Sequence, residues 1–241
     1  MHLIIDNGNS RCKTAFFDKE HISSVQTNKE LSIELLNTLL NEQPTIEKGI
    51  LSSVKSIEKK TLQFFKKKFN GIILNSDTPL PIKTEYQNTE TLGSDRIANV
   101  CAAEFLFPMQ NSLVIDIGTC ITYDLLLNGI HKGGYITPGL NMKAKAMNNF
   151  SDKLPLVSPY KEYSTPGKTT KTSMIGGIVE GTFNEIERFI KNYENEFNDL
   201  NILITGGDMK LFEIHLKNSI FADSNLTLKG LYNILKFNEN Q

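Results

Sequence analysis

Residues 3–13 are LIIDNGNSRCK, and residues 113–124 are LVIDIGTCITYD. Each stretch begins with a short apolar run, continues through an Asp-x-Gly turn with small polar residues, and ends in a second run of strand character. This pattern predicts a strand–turn–strand hairpin in both places. The two copies lie 110 residues apart, close to half of the chain, so the sequence predicts a duplicated domain.

Strand and helix patterns alternate along the chain, which predicts an α/β protein. Pro108–Asn111 separates the two copies, so we expect domains at 1–110 and 111–241. Helices are predicted over Asp95–Phe107, Leu140–Asn148, Ser173–Asn195 and Asp208–Leu216.

The composition excludes several classes of protein. The 241 residues are 39% hydrophobic and carry a net charge of -1, so there is no basic excess for a nucleic acid or a membrane surface. No apolar run reaches the roughly 18–20 residues of a spanning helix, and Asp6 interrupts the opening run, so no signal peptide is expected. Three scattered cysteines lack metal-ligand spacing and suit free thiols in a reducing cytoplasm.

The turn that follows Asp6 has the chemistry of a phosphate cradle, although a plain hairpin turn explains a single copy equally well. Gly8 lets a ligand approach backbone N–H groups closely, and Lys13 adds a positive charge. Asp6 lies at a strand end, where a carboxylate suits a hydrated Mg²⁺. Asp116 opens the second copy at the corresponding position, and the duplication favours the phosphate role.

Arginine is rare in this chain, since Arg11, Arg96 and Arg188 are the only arginines among 26 basic residues. Arg96 directly follows Asp95 at a predicted helix start. A carboxylate beside a guanidinium can accept the proton of a hydroxyl while the arginine binds an anion. The alternative is that Asp95 serves only as a helix N-cap.

Two other features are weak when taken alone. Gly206–Gly207 connects a strand to a helix, which either leaves room for a flat ring such as adenine or only makes a tight connection. Cys12 and Cys120 lie inside the two turns, and we interpret them as small residues that fit rather than as nucleophiles. Neither a P-loop motif nor GxGxxG occurs, so neither of those nucleotide folds is expected.

Six motifs occur in an order that resembles the type III pantothenate kinase family. They are DNGNSRCK at 6–13, Tyr86, GSDR at 93–96, DIGTCITYD at 116–124, GGYITPG at 133–139 and TKTSMIGG at 170–177. The resemblance implies an actin-like ATPase fold of the sugar-kinase and Hsp70 type, with two ribonuclease-H-like domains and the nucleotide in the cleft between them. It also implies ATP-dependent phosphorylation of pantothenate, the first step of coenzyme A synthesis.

The resemblance further implies roles for individual residues. The ATP phosphate loop corresponds to Asp6, Asn7, Gly8, Asn9, Ser10, Arg11, Cys12 and Lys13, with Thr119 as another ATP contact. Pantothenate contacts correspond to Tyr86, Gly93, Ser94, Asp95, Arg96 and Thr170. Asp95 is the implied proton acceptor, and Asp116 is the implied ligand of a monovalent cation, K⁺ or NH₄⁺. Mg²⁺ accompanies ATP, with Asp6 as its candidate ligand.

The family also implies a homodimer in which the neighbouring subunit closes the pantothenate site. The helix over Ser173–Asn195 is the candidate interface. This chain departs from the family at Ser94, where Ala or Val is frequent, and at Cys120, where Ala is usual. Both replacements are small, so we expect little effect on function.

Two rival functions stay open at this point. Another actin-fold kinase, acting on a sugar, a polyol or acetate, would keep the ATP turns but has no reason to keep Tyr86, Gly93–Arg96 and Thr170 together. A non-catalytic, nucleotide-binding regulator of the same fold is expected to lose its charged site residues first, and this chain keeps them.

Overall fold

The computed structural model describes residues 1–213 and 220–240. The strands of the described residues are β1 (His2–Asn7), β2 (Cys12–Asp18), β3 (His21–Asn28), β4 (Lys48–Ser53), β5 (Ile72–Ile73), β6 (Lys83–Thr84), β7 (Asn111–Ile117), β8 (Cys120–Leu127), β9 (Ile130–Pro138), β10 (Leu200–Thr205) and β11 (Ile220–Ala222). The helices are α1 (Ile33–Glu42), α2 (Lys59–Lys68), α3 (Ser94–Leu106), α4 (Leu140–Asn149), α5 (Thr170–Glu196), α6 (Lys210–Glu213) and α7 (Leu226–Glu239).

The chain divides into two compact units, and neither is continuous in sequence. The first unit comprises Met1–Met109, Leu126–Gly133 and Asn225–Gln241, and the second comprises Gln110–Leu125 and Gly134–Ser224. The predicted domains were continuous, so the structure differs from them in two segments. The C-terminal helix α7 packs against α3, and the tip of the β8–β9 hairpin pairs with β6, which brings both segments into the first unit.

A five-stranded sheet in the order β3-β2-β1-β4-β5 forms the centre of the first unit. β1 alternates its apolar side chains between two cores, as a strand buried on both faces must. Leu3 and Ile5 pack with residues of α1 and α2, whereas Ile4 packs with residues of α3 and α7. Helices on both sheet faces confirm the predicted α/β class.

The second unit is built on a six-stranded sheet in the order β11-β10-β7-β8-β9-β6, whose β6 belongs to the first unit. β7, β10 and β11 run parallel to one another. The predicted helix over Ser173–Asn195 is α5, which begins three residues earlier, at Thr170. Its buried residues, among them Ile178 and Ile186, join Leu113 and Ile115 of β7 in one apolar core. Of the predicted helix Asp208–Leu216, the structure gives α6, and residues 214–216 lie outside the described residues.

Both predicted hairpins are present. β1 pairs antiparallel with β2, and β7 lies beside β8 in its sheet. Each hairpin places an Asp-x-Gly turn at the carboxyl end of a strand that has a parallel neighbour, β4 in the first unit and β10 in the second. Within the described residues, no helix combines the length and the apolar character that a bilayer span needs.

The crossing of α3 and α7 depends on a glycine at the contact. A Cβ added at Gly230 would overlap the carbonyl oxygen of Ala98, so the two helix backbones approach more closely than any other residue allows. We expect Gly230→Ala to lower the free energy of unfolding by about 1–3 kcal/mol, because the overlapping atoms force the helices apart. Urea unfolding at a fixed protein concentration measures this change.

Gly181→Ala is the matched control. Gly181 is exposed on α5, and an added Cβ there meets nothing within 4 Å. The same substitution should therefore raise the free energy of unfolding by up to about 1 kcal/mol through helix propensity. Equal stability of the two variants would contradict the close crossing of α3 and α7.

Candidate active site

The turn of the first hairpin is held by both neighbours of β1. In β2, Lys13 lies opposite Asp6 in the antiparallel register. In β4, Ser52 and Ser53 lie beside Asp6 and Asn7 in the parallel register. Asn7 Nδ2 donates to Ser53 Oγ at 2.9 Å, which ties the turn to the end of β4. The carboxyl ends of β1 and β4 thus share one edge of the sheet, where ligands bind in open α/β sheets.

The start of α3 is attached to the same edge. Ser52 Oγ donates to Ser94 Oγ at 2.8 Å. Ser94 is the first residue of α3, and Gly93 is its N-cap. One hydrogen bond therefore joins the strand next to the Asp6 turn to the helix that carries the predicted substrate residues.

Asp95 lies in the first turn of α3 and not at its N-cap. Gly93 occupies the N-cap without a side-chain cap bond, so the N-cap interpretation of Asp95 is wrong. Asp95 Oδ1 accepts a hydrogen bond from the backbone N–H of Arg96 at 2.8 Å. A Cβ added at Gly93 would lie 2.5 Å from that oxygen, so glycine makes room for the carboxylate. The positive end of the helix dipole favours a negative charge here.

Arg96 is one end of a stack of three side chains. It is only 4% exposed, and its guanidinium carbon lies 5.5 Å from the centre of the Tyr86 ring. The Tyr86 ring lies nearly parallel to His131, with their centres 6.3 Å apart. Thr84 Oγ1 accepts from the backbone N–H of Tyr86 and hydrogen-bonds His131 Nδ1, both at 3.1 Å. A planar guanidinium suits such stacking better than an ammonium does.

The second hairpin is held by a similar set of contacts within the second unit. Thr205 of β10 lies beside Asp116 of β7. The backbone N–H of Gly139 donates to the carbonyl of Thr119 at 3.1 Å. Gly206 has a φ of +103°, and a Cβ added there would lie 2.6 Å from Asp116 Oδ1. The tight strand–helix connection therefore accounts for Gly206 by itself.

The predicted site residues are divided between the two units. The first unit holds 6–13, Tyr86 and Gly93–Arg96, and hydrogen bonds through β4 connect 6–13 with the start of α3. The second unit holds Asp116, Thr119 and Thr170. Thr170 is exposed as the first residue of α5, directly after the N-cap Thr169. The ligand that each residue contacts stays a prediction.

Neither Ser52 nor His131 was predicted from the sequence. The position of Ser52 carried a signal, because it lies one residue before the end of a buried strand, and the carboxyl ends of neighbouring parallel strands meet at one edge. His131 carried none, since its partners Tyr86 and Thr84 lie 45 or more residues earlier in the chain.

The chain has the fold of the actin-like ATPase and sugar-kinase class. A Campylobacter jejuni protein described as a Baf family transcriptional activator matches 99% of this chain and 100% of its own, with a TM-score of 0.61 and 25% identity. A ROK family glucokinase from Streptomyces griseus, solved with glucose and AMPPNP, matches 95% of this chain and 97% of its own, with a TM-score of 0.55 and 10% identity. The second likeness concerns the fold alone.

Sequence comparison defines the family within this class. Residues 2–192 match the family model described as Type III pantothenate kinase. The chain is 43% identical over 243 residues to the Type III pantothenate kinase of Christiangramia forsetii, covering 100% of both chains. It is 40% identical over 241 residues to the one of Phocaeicola vulgatus, covering 99% of both. The chain therefore belongs to the type III pantothenate kinase family, as its motifs predict.

Two buried cysteines, Cys12 and Cys101, are suited to packing rather than to chemistry. Burial, with a smaller contribution from the Asp6 charge, raises the pKa of the Cys12 thiol to about 12. Burial also raises the pKa of the Cys101 thiol well above its usual range. A neutral, buried thiol is a poor nucleophile.

We therefore expect iodoacetamide at pH 8 to label Cys120 of the folded protein before the other two cysteines. Cys120 is partly exposed, whereas Cys12 and Cys101 are buried. Peptide mass spectrometry after timed labelling measures the order, and labelling in urea is the control in which all three react. Fast labelling of Cys12 in the folded protein would contradict its placement.

Proposed function

We propose that the protein transfers the γ-phosphoryl group of ATP to the primary hydroxyl of pantothenate, giving 4′-phosphopantothenate and ADP. The observation that carries this proposal lies within the first unit, where the Asp6 turn is linked through Ser52 and Ser94 to Asp95 and Arg96. Phosphoryl transfer depends on positioning and on neutralisation of charge more than on covalent chemistry. A single sheet edge to which both sets of groups are attached supports that reaction.

Asp95 and Arg96 act on pantothenate. The alcohol oxygen bonds to the γ-phosphorus, the bond from that phosphorus to the bridging oxygen breaks, and ADP leaves. The Asp95 carboxylate accepts the proton of the alcohol. Arg96 binds the pantothenate carboxylate through two parallel hydrogen bonds, with its orientation fixed by the Tyr86 ring. Gly93, Ser94 and Tyr86 complete this part of the pantothenate site, and the exposed Thr170 adds a further contact.

The residues 6–13 hold the phosphates of ATP. Backbone N–H groups of Asn7–Arg11 and the Lys13 ammonium bind the phosphate oxygens, and Thr119 is a further ATP contact. Asp6 is a single carboxylate, which fits Mg²⁺ because this ion retains waters and takes its other ligands from phosphates. When bound, Mg²⁺ neutralises charge on the transferred group. Asp116 binds a monovalent cation, K⁺ or NH₄⁺.

The active form is a homodimer in which the neighbouring subunit closes the pantothenate site, with α5 as the interface helix. Exposed apolar surface beside α5 supports this assignment. Tyr135 is 53% exposed and Ile136 is 58% exposed, and the Tyr135 ring packs on Phe189 of α5 with ring centres 5.1 Å apart. Exposed apolar patches of this kind mark association surfaces.

We place the reaction in the cytoplasm, where the three free cysteines stay reduced.

Asp95→Asn tests the proton acceptor. The amide preserves the size of the side chain but cannot accept the alcohol proton, so kcat should fall by about 10²–10⁴-fold. The variant should keep the circular dichroism spectrum and the ATP affinity of the wild type. A kcat near the wild-type value, in a folded variant, would remove Asp95 from the chemistry.

Arg96→Lys tests whether the guanidinium of Arg96 binds the pantothenate carboxylate. An ammonium cannot make two parallel hydrogen bonds and stacks less well on Tyr86, so the KM for pantothenate should rise by roughly 10- to 100-fold. The KM for ATP should change little, which separates a substrate contact from a general loss of structure. If the KM for pantothenate stays unchanged, Arg96 has only a structural role beside Asp95.

Exchange of the monovalent cation tests Asp116. Activity should fall sharply when K⁺ is replaced by Na⁺ and should return with NH₄⁺, because the smaller Na⁺ fits a cage of oxygens sized for K⁺ poorly. Ionic strength is held constant, since screening alone changes phosphate binding. Asp116→Ala should lose activity together with this cation dependence. Equal rates in K⁺ and Na⁺ would assign Asp116 to the Mg²⁺ side of the nucleotide instead.

A further inference from the structure

The second unit contains a cavity of about 400 Å³ that none of the predicted site residues lines. Two helices and an irregular segment line it, and it is open to solvent on one side. α4 contributes Asn141 and Lys145, α5 contributes Lys171 and Ile175, and the segment 156–161 forms the third side. Each helix presents residues four positions apart, which lie on one helix face. The volume falls within the range of about 300–1,000 Å³ that small-molecule sites occupy.

Hydrogen bonds fix the third side of the cavity. Asn141 Nδ2 donates to Tyr160 Oη at 2.7 Å. Tyr160 Oη in turn donates to the Asp208 carboxylate at 3.1 Å. Tyr160 thereby anchors the irregular segment to the first turn of α4 and to the connection after β10. These hydrogen bonds therefore hold the third side of the cavity in place within the second unit.

The side chains around this cavity combine a cationic rim with an apolar floor. Lys145, Lys161 and Lys171 are exposed, and none of their ammonium groups forms an ion pair or hydrogen bond with another described residue. Val157 and Ile175 are 8% and 5% exposed and form the apolar part. Three ammonium groups around one concavity repel one another and concentrate positive potential in it.

The local charge differs from the charge of the whole chain. Residues 143–171 contain six lysines and two acidic residues, whereas the chain has a net charge of -1. A lysine-rich stretch on a convex helix face is ordinarily only solvated. Here three of the lysines surround a cavity with an apolar floor, and that arrangement matches a ligand with an anionic group and an apolar body.

We propose that this lysine pocket, defined by Lys145, Lys161, Lys171, Val157 and Ile175, binds a small organic phosphate. A phosphate dianion offers the charge and the oxygen atoms that several ammonium groups can share, and lysine binds phosphate as a point charge. The apolar floor takes the carbon body of the ligand. The proposal is separate from the kinase activity in that no residue of the pocket is a predicted contact of ATP or pantothenate, although Lys171 directly follows Thr170.

Calorimetric titration with three ligands that share a benzene ring tests the chemistry of the pocket. Phenyl phosphate is a dianion, benzoate is a monoanion and benzyl alcohol is neutral. The titrations are made at constant ionic strength and with saturating MgADP. The MgADP occupies the nucleotide site, so the probes cannot bind where the nucleotide phosphates lie. Phenyl phosphate should bind about tenfold more tightly than benzoate, and benzyl alcohol should bind most weakly. Equal affinity for the three ligands, or phenyl phosphate binding that appears only in a parallel titration without MgADP, would overturn a separate phosphate site.

Paired lysine substitutions test the location of the site. Lys145→Gln with Lys161→Gln should weaken phenyl phosphate binding at least tenfold, whereas Lys145→Arg with Lys161→Arg should retain it. Lys153→Gln with Lys168→Gln is the matched control, because it removes two charges from the same segment but from outside the pocket, and its affinity should stay within about twofold. Equal weakening by the two glutamine pairs would indicate only general charge attraction.

Pantothenate kinase activity, measured on the same proteins, should not change, so failure of the pocket proposal and failure of the proposed function are distinguishable.

Discussion

The parallel pairing of β1 with β4 is the constraint on which the candidate site of the first unit depends. This register places Asp6 beside Ser52, and Ser52 holds the first residue of α3 through a hydrogen bond at 2.8 Å. The Asp6 turn and the Asp95–Arg96 pair are therefore parts of one sheet edge, although about 90 residues separate them in sequence. A shift of β4 by one residue would turn Ser52 to the other face of the sheet and separate the two groups.

The elements that could be predicted from the sequence are those whose pattern is local. The two hairpins, α3 and α5 each carry their own turn residues or a one-sided apolar stripe. The helix α7 was not predicted, although Leu228, Leu231 and Leu235 among its buried residues follow helical spacing and so carried a signal. The strand β3 was also missed, since its exposed, polar sequence HISSVQTN resembles a loop and its pairing with β2 supplies the order.

The residues of the candidate site likewise separate into those that could be predicted from the sequence and those that could not. Its charged residues were predicted because the motifs around them are contiguous in sequence and occur in the order of the family. The supporting residues were not, because Ser52 and His131 meet their partners only after the chain has folded. The lysine pocket is a similar case, since its three lysines come from two helices and one irregular segment. Charge composition alone does not distinguish such a cavity from a solvated surface.

The most direct measurement of the central claim is ADP release by the purified protein with MgATP and K⁺, recorded with and without an acceptor. The acceptors are pantothenate, glucose, glycerol and acetate at equal concentration. We expect ADP release only when pantothenate is the acceptor, accompanied by an equal amount of a product phosphorylated at the primary hydroxyl, as phosphorus NMR can establish. ADP release that does not depend on pantothenate, or that is faster with glucose, glycerol or acetate, would contradict the account.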